Sequence, residues 1–185
     1  LIIGLSLFAI GETLLITANL GVSPWTVLAQ GISFQFNFSI GISTFIISII
    51  VLLFWYPLKQ KPGLGTILNV ILISIVIDLS SPILPYPKTF FYQILQSIIA
   101  VFIVGLGSGF YLTANLGSGP RDGLMTGLQN LTNQPIALIR TILEVSAVII
   151  GFYLGGIIGL GTLLFAFGIG PAVSISIYFV MKYFK

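Results

Sequence analysis

The chain has no cysteine and no histidine, and only four acidic side chains among its 185 residues. Without cysteine there is no disulfide and no thiolate site. Without histidine, zinc-type centres and imidazole acid–base catalysis lose their usual groups. Charge is scarce overall: 6% of residues are charged against 57% hydrophobic, with a mean hydropathy of +1.15. A soluble domain carries about 25% charged residues. So few charges could not cover a surface in water, and lipid is the solvent that suits this composition. Seven basic residues stand against four acidic ones for a net charge of +3. The basic residues are scattered singly, so they read as topology signals rather than a nucleic-acid surface.

What the chain does have is a duplication. Thr17-Ala18-Asn19-Leu20-Gly21-Val22-Ser23-Pro24-Trp25-Thr26-Val27-Leu28 lies 96 residues before Thr113-Ala114-Asn115-Leu116-Gly117-Ser118-Gly119-Pro120-Arg121-Asp122-Gly123-Leu124, with seven of twelve positions identical. At the same offset Gly63-Leu64-Gly65-Thr66 matches Gly159-Leu160-Gly161-Thr162. The halves are roughly 1–84 and 88–185 of a single membrane domain, joined at the proline-rich 81–87. Because residues 1–20 have an internal counterpart, they read as a permanent helix rather than a cleaved leader.

A helical crossing takes about 20 apolar residues. The expected spans are 1–19, 40–58 and 64–81 in the first half, and 90–115, 136–154 and 157–181 in the second. Between the first two helices of each half lies a shorter segment, Pro24–Phe36 and Pro120–Leu131. Each opens on proline, which suits a first helical turn, and follows Asn-Leu-Gly, a helix stop. We expect short helices, re-entrant or interfacial. Three crossings per half turn the second half upside down. An N-terminus inside then puts Lys59, Lys61, Arg121, Lys182 and Lys185 on the cytoplasmic side and only Lys88 outside. The expected fold is therefore all-α, with six transmembrane helices in two inverted three-helix repeats.

Ionisable residues inside membrane helices point by default to a functional site. Arg140 and Glu144 are four apart on one helix face, and Glu144 and Glu12 fall at similar depths from opposite faces. An internal ion pair, with Glu12 hydrogen-bonded to its surroundings, is the bland alternative. Arg121 and Asp122 open the second short helix, where a helix N-terminus and a guanidinium favour an anion. Asp122 could instead pair with Arg121, and Arg121 could be a plain cytoplasmic anchor. Their first-half equivalents, Trp25 and Thr26, are uncharged. With Asn19, Pro24, Asn115 and Pro120 at the starts and stops of the short helices, these eleven residues are the candidates for a solute or ion pathway. The clustered glycines 105, 107, 109, 151, 155 and 156 suit close helix packing. Gly105-Leu106-Gly107-Ser108-Gly109 is no nucleotide fingerprint, since it sits within a hydrophobic helix. Gly168-Ile169-Gly170-Pro171 is expected to kink the last helix.

The Pro24–Leu28 stretch, both Gly-Leu-Gly-Thr motifs, Gly117–Met125, Arg140 with Glu144, and Ile169-Gly170-Pro171 together resemble the YczE-like family of bacterial membrane proteins, related to the YitT group. The resemblance covers nearly the whole chain and implies a multi-pass protein of the bacterial inner membrane. The chain departs from the family's pattern at Thr26 and Ala29, where the resemblance implies Asp and often His.

A transporter or channel for a small polar or anionic solute is the leading expectation, because inverted halves place substrate sites at their interface. A non-catalytic membrane subunit supporting a partner complex is the alternative. An enzyme is not expected: Glu12 against Glu144 is the only acid pair on offer. No ATP-binding motif, metal site or cofactor is expected. Expected partners are the bilayer, a small-molecule solute and, in a homo-oligomer, further copies of the chain, with no nucleic acid.

Overall fold

The computed structural model describes residues 1–183, so Lys185, counted above with the cytoplasmic charges, lies outside the described residues. Eight helices follow one another: α1 (Ile2–Ala18), α2 (Pro24–Phe36), α3 (Ile40–Trp55), α4 (Leu64–Ser80), α5 (Phe90–Thr113), α6 (Pro120–Thr132), α7 (Ile136–Tyr153) and α8 (Leu160–Tyr183). No strand occurs among the described residues. The starts of α2, α3 and α4 fall 96 residues before those of α6, α7 and α8. Both short helices begin with proline at the first turn. The stops repeat as well. Asn19 and Asn115, then Asn37 and Asn133, all turn left-handed, with φ between 51° and 55°. Asparagine tolerates that conformation better than other side chains because its amide can bond locally.

Three helices, α5, α7 and α8, are long and apolar enough to cross a membrane. The pair α2 and α3, bent by 113°, raises that number to four if read as one span, and α1 and α4 are apolar at 17 residues each. The outer surface is apolar: Phe167 and Ile3 are among the most exposed side chains, while Glu12, Ser23, Thr26 and Thr66 are buried. In water that arrangement would be inside out. The proline expected to kink the last helix does not interrupt it. α8 runs unbroken from Leu160 to Tyr183 with Pro171 inside it. The proline removes one bond of the ladder, and the Ser174 hydroxyl donates to the Gly170 carbonyl one turn away.

The halves hold each other through reciprocal contacts. Gly65 N–H donates to Leu116 O at 2.7 Å, and its equivalent Gly161 N–H donates to Leu20 O at 2.7 Å. Each Gly-Leu-Gly-Thr motif therefore receives the Asn-Leu-Gly turn of the other half. α1 and α5 pack antiparallel. Gly11 faces Ala100 and Val104, while Gly107 faces Gly4 and Phe8. Those are equivalent residues with their roles exchanged, as a two-fold relation requires. The short helices also cross over, α2 packing on α7 and α6 on α3. The correspondence is not exact. α3 packs firmly on α4, whereas α7 and α8 scarcely touch.

Candidate functional site

The N-termini of the two short helices come together at one place. Trp25 and Arg121 are equivalent positions, and the Arg121 guanidinium lies 5.2 Å from the Trp25 ring centroid. A cavity of about 170 Å³ opens there, room for several waters or a small ion. Its walls come in equivalent pairs: Pro24 with Pro120, Trp25 with Arg121, Thr44 with Arg140, Ser48 with Glu144, and Ile73 with Ile169. In three of these pairs, at 25/121, 44/140 and 48/144, a neutral side chain of the first half corresponds to a charged one of the second. The pair Glu12 and Ser108 reverses that assignment, with only Ser108 in the wall.

Both N-termini are left uncapped. Val27 N–H closes the first turn of α2 on Ser23 O, and Gly123 N–H closes that of α6 on Gly119 O. The prolines have no N–H, and neither cap residue offers its side chain. Gly119 has none to offer. Ser23 would ordinarily cap, but its hydroxyl turns back to Glu12 Oε2 at 2.8 Å, joined by the Thr26 hydroxyl at 2.7 Å. Glu12 is 1% exposed. Its Oε1 has no hydrogen-bond partner, and neither has the buried Trp25 Nε1. The main-chain N–H groups of Trp25, Thr26, Arg121 and Asp122 are thus left without acceptors among the described residues.

The remaining acids have settled partners. Tyr111 donates to Asp122 Oδ2 at 2.6 Å, so Asp122 does not pair with Arg121 as the sequence allowed. Arg140 Nε donates to Glu144 Oε1 at 2.8 Å, the ion pair expected from their spacing. Asp78 accepts from the Ser39 hydroxyl and from Gly41 N–H at 2.8 Å, fastening the start of α3 to α4. Arg121 has neither hydrogen bond nor ion pair among the described residues.

The structure brings Pro24, Trp25, Pro120, Arg121, Asp122, Arg140 and Glu144 into one wall. Arg121 is therefore interior rather than a surface anchor. Glu12 stands behind that wall, reached through Ser23, and Thr26 joins it there. Asn19 and Asn115 do not line the cavity; they are helix stops. The spacing that pairs Glu144 with Arg140 offers Glu12 no partner on its own helix. Glu12 nonetheless has two, and it is the more deeply buried acid. Sequence reasoning missed Ser23, Thr44, Ser48 and Ser108. The repeat offset, applied to Arg140, Glu144 and Glu12, would have found the last three.

Residues 1–177 match the family of unknown function DUF6198. The chain belongs to this family. It is 46% identical over 173 residues to an uncharacterized protein of Haemophilus influenzae, covering 94% of this chain and 79% of that relative. It is 33% identical over 165 residues to the uncharacterized membrane protein YczE of Bacillus subtilis, covering 88% and 77%. The uncharacterized protein YyaS of the same organism is 28% identical over 166 residues, covering 88% and 83%. The YczE-like resemblance of the motifs therefore extends along the chain. No solved structure gives a significant match. Family membership, the apolar exterior and helices long enough to cross a bilayer identify an integral membrane protein.

Proposed function

We propose that this member of the family is a multi-pass protein of the bacterial cell membrane that passes a small polar or anionic solute, as a transporter or channel, through the cavity between its halves. Six crossings in two inverted repeats carry the short helices as re-entrant segments. The observation that carries the reading is the cavity itself, walled by equivalent residues of both halves. A solute site at the repeat interface, faced by the N-termini of broken helices, is the recurring arrangement of inverted-repeat transporters. The antiparallel packing of α1 and α5 supports the inversion, because an axis relating antiparallel helices runs perpendicular to them. At 17 residues α1 and α4 rise about 25 Å, a little short of the ~30 Å hydrocarbon core, a mismatch that bilayers accommodate by thinning. The loose α7–α8 seam beside the tight α3–α4 seam supports alternating access: exchanging the two arrangements would close one side and open the other.

The topology follows from the charges. With the N-terminus inside, Lys59 and Lys61 face the cytoplasm and residues 82–88 face outward. A cysteine placed at Gln60 should resist an impermeant thiol reagent added to intact cells, while one at Tyr86 should react. Labelling at 60 but not at 86 would overturn the orientation. The solute reading is tested with purified protein in liposomes, by light scattering after mixing with nitrate, formate, chloride, urea or glycerol. Entry of at least one solute should outpace that into protein-free liposomes; parity for every solute would refute transport of this class.

A further inference from the structure

We infer that the cavity holds a small oxyanion, bound between the N-termini of α2 and α6 by Arg121, the Trp25 indole N–H and the uncapped main-chain N–H groups. The inference rests on the reading of the cavity as a solute site and adds the chemistry of its occupant.

The donors outnumber the acceptors available to them. Four main-chain N–H groups at two helix starts have no acceptor. Trp25 is 8% exposed, lines the cavity, and has no partner for Nε1. A buried indole N–H nearly always finds an acceptor, and at the two helix starts the protein withholds the usual one. The Ser23 hydroxyl, the natural cap of α2, is held by Glu12, and α6 has glycine at its cap position. The acids near the cavity are engaged: Asp122 with Tyr111, Glu144 with Arg140, Glu12 with two hydroxyls. Left without a hydrogen-bonding acceptor are the Arg121 guanidinium and the positive ends of two helices, each equivalent to about half an elementary charge; Glu12 Oε1, also unpartnered, is sealed behind the cavity wall.

An oxyanion meets these demands better than a halide. Several acceptor oxygens can serve donors arriving from two opposite helices, and one edge can take the paired N–H groups of a guanidinium. Arg121 and Trp25 are equivalent positions, so the ion would lie beside the internal axis and be shared by both halves.

The experiment measures thermal unfolding of the purified protein in detergent, at constant ionic strength, with sodium gluconate replaced stepwise by nitrate, formate or chloride. Nitrate and formate should raise the midpoint saturably, and chloride should do so less. Arg121→Gln should weaken the response at least about tenfold in concentration. Trp25→Phe, which keeps the ring and deletes only the N–H, should weaken it about threefold or more. If Arg121→Gln does not fold, Trp25→Phe decides the matter. No saturable shift with nitrate or formate, an equal response to chloride, or a parental response in the folded variants would overturn the inference. Anion binding without flux of any solute would refute transport and leave this site standing; flux without anion binding would do the reverse.

Discussion

Glu12→Ala is expected to lower the stability of the protein in detergent by about 3 kcal/mol or more, since two hydrogen bonds to a charged group are each worth about 1.5–3 kcal/mol. Oε2 gathers the hydroxyls of Ser23 and Thr26, and so ties α1 to the start of α2 in a site sealed from outside. Deleting the carboxylate leaves the two hydroxyls only each other, 2.9 Å apart, and frees Ser23 to cap α2 instead. Glu12→Gln keeps a carbonyl acceptor and should fall between the parent and alanine. Glu144→Gln should cost less than either change at Glu12, because Glu144 stands in the cavity wall and is 23% exposed, whereas Glu12 is sealed behind that wall. Thermal unfolding of the three variants orders them. A larger loss for Glu144→Gln than for Glu12→Ala would show that the wrong acid has been placed at the structural centre.

The second large effect is expected where α1 crosses α5. A side chain at Gly107 would enter the backbone of Gly4 and Phe8, and one at the equivalent Gly11 would enter Val104 and Ala100. Neither neighbour is a flexible tip that could swing away. Without a hydrophobic force between helices in lipid, close backbone approach supplies much of their adhesion. Gly107→Leu should therefore cost at least about 3 kcal/mol, the upper range for overpacking, and yield little monodisperse protein on gel filtration. Gly11→Leu should behave alike, because the equivalent positions of the other half, Ala100 and Val104, crowd it as closely. A Cβ at Gly170 meets nothing within 4 Å, so Gly170→Leu should stay within about 0.5 kcal/mol of the parent. Equal behaviour of Gly107→Leu and Gly170→Leu would mean that α1 and α5 do not pack this way.

The helices were legible because their signals are local. Proline at 24 and 120, asparagine at 19 and 115 and long apolar runs mark starts and stops within a few residues of where the chain makes them. The repeat was legible for the same reason, as a constant offset. Its consequence in space was not. That Trp25 and Arg121 touch follows from how the halves dock, and a sequence offset says which residues correspond, not which ones meet. The Arg140–Glu144 pair, one turn apart, could be read from spacing. Glu12 with Ser23 and Thr26 could not, since the Asn19–Gly21 turn intervenes and sends α2 back across the end of α1. Serine before Pro24 reads as a helix cap, and a tertiary partner overrides that local preference. Thr44 and Ser48 look like ordinary polar residues in a helix. They gain significance only as the neutral counterparts of Arg140 and Glu144.

The central claim is that solute passes through the cavity on the internal axis, and this cysteine-free chain allows a direct test. Ser48 lines that cavity, whereas Ile149 is exposed on the outer, apolar surface. The measurement is entry, into liposomes holding parent, Ser48→Cys or Ile149→Cys protein, of whichever solute the parent passes fastest, before and after a small water-soluble methanethiosulfonate. Block of Ser48→Cys, with the parent and Ile149→Cys unchanged, is the predicted result; full entry through Ser48→Cys protein whose thiol has demonstrably reacted would contradict the account.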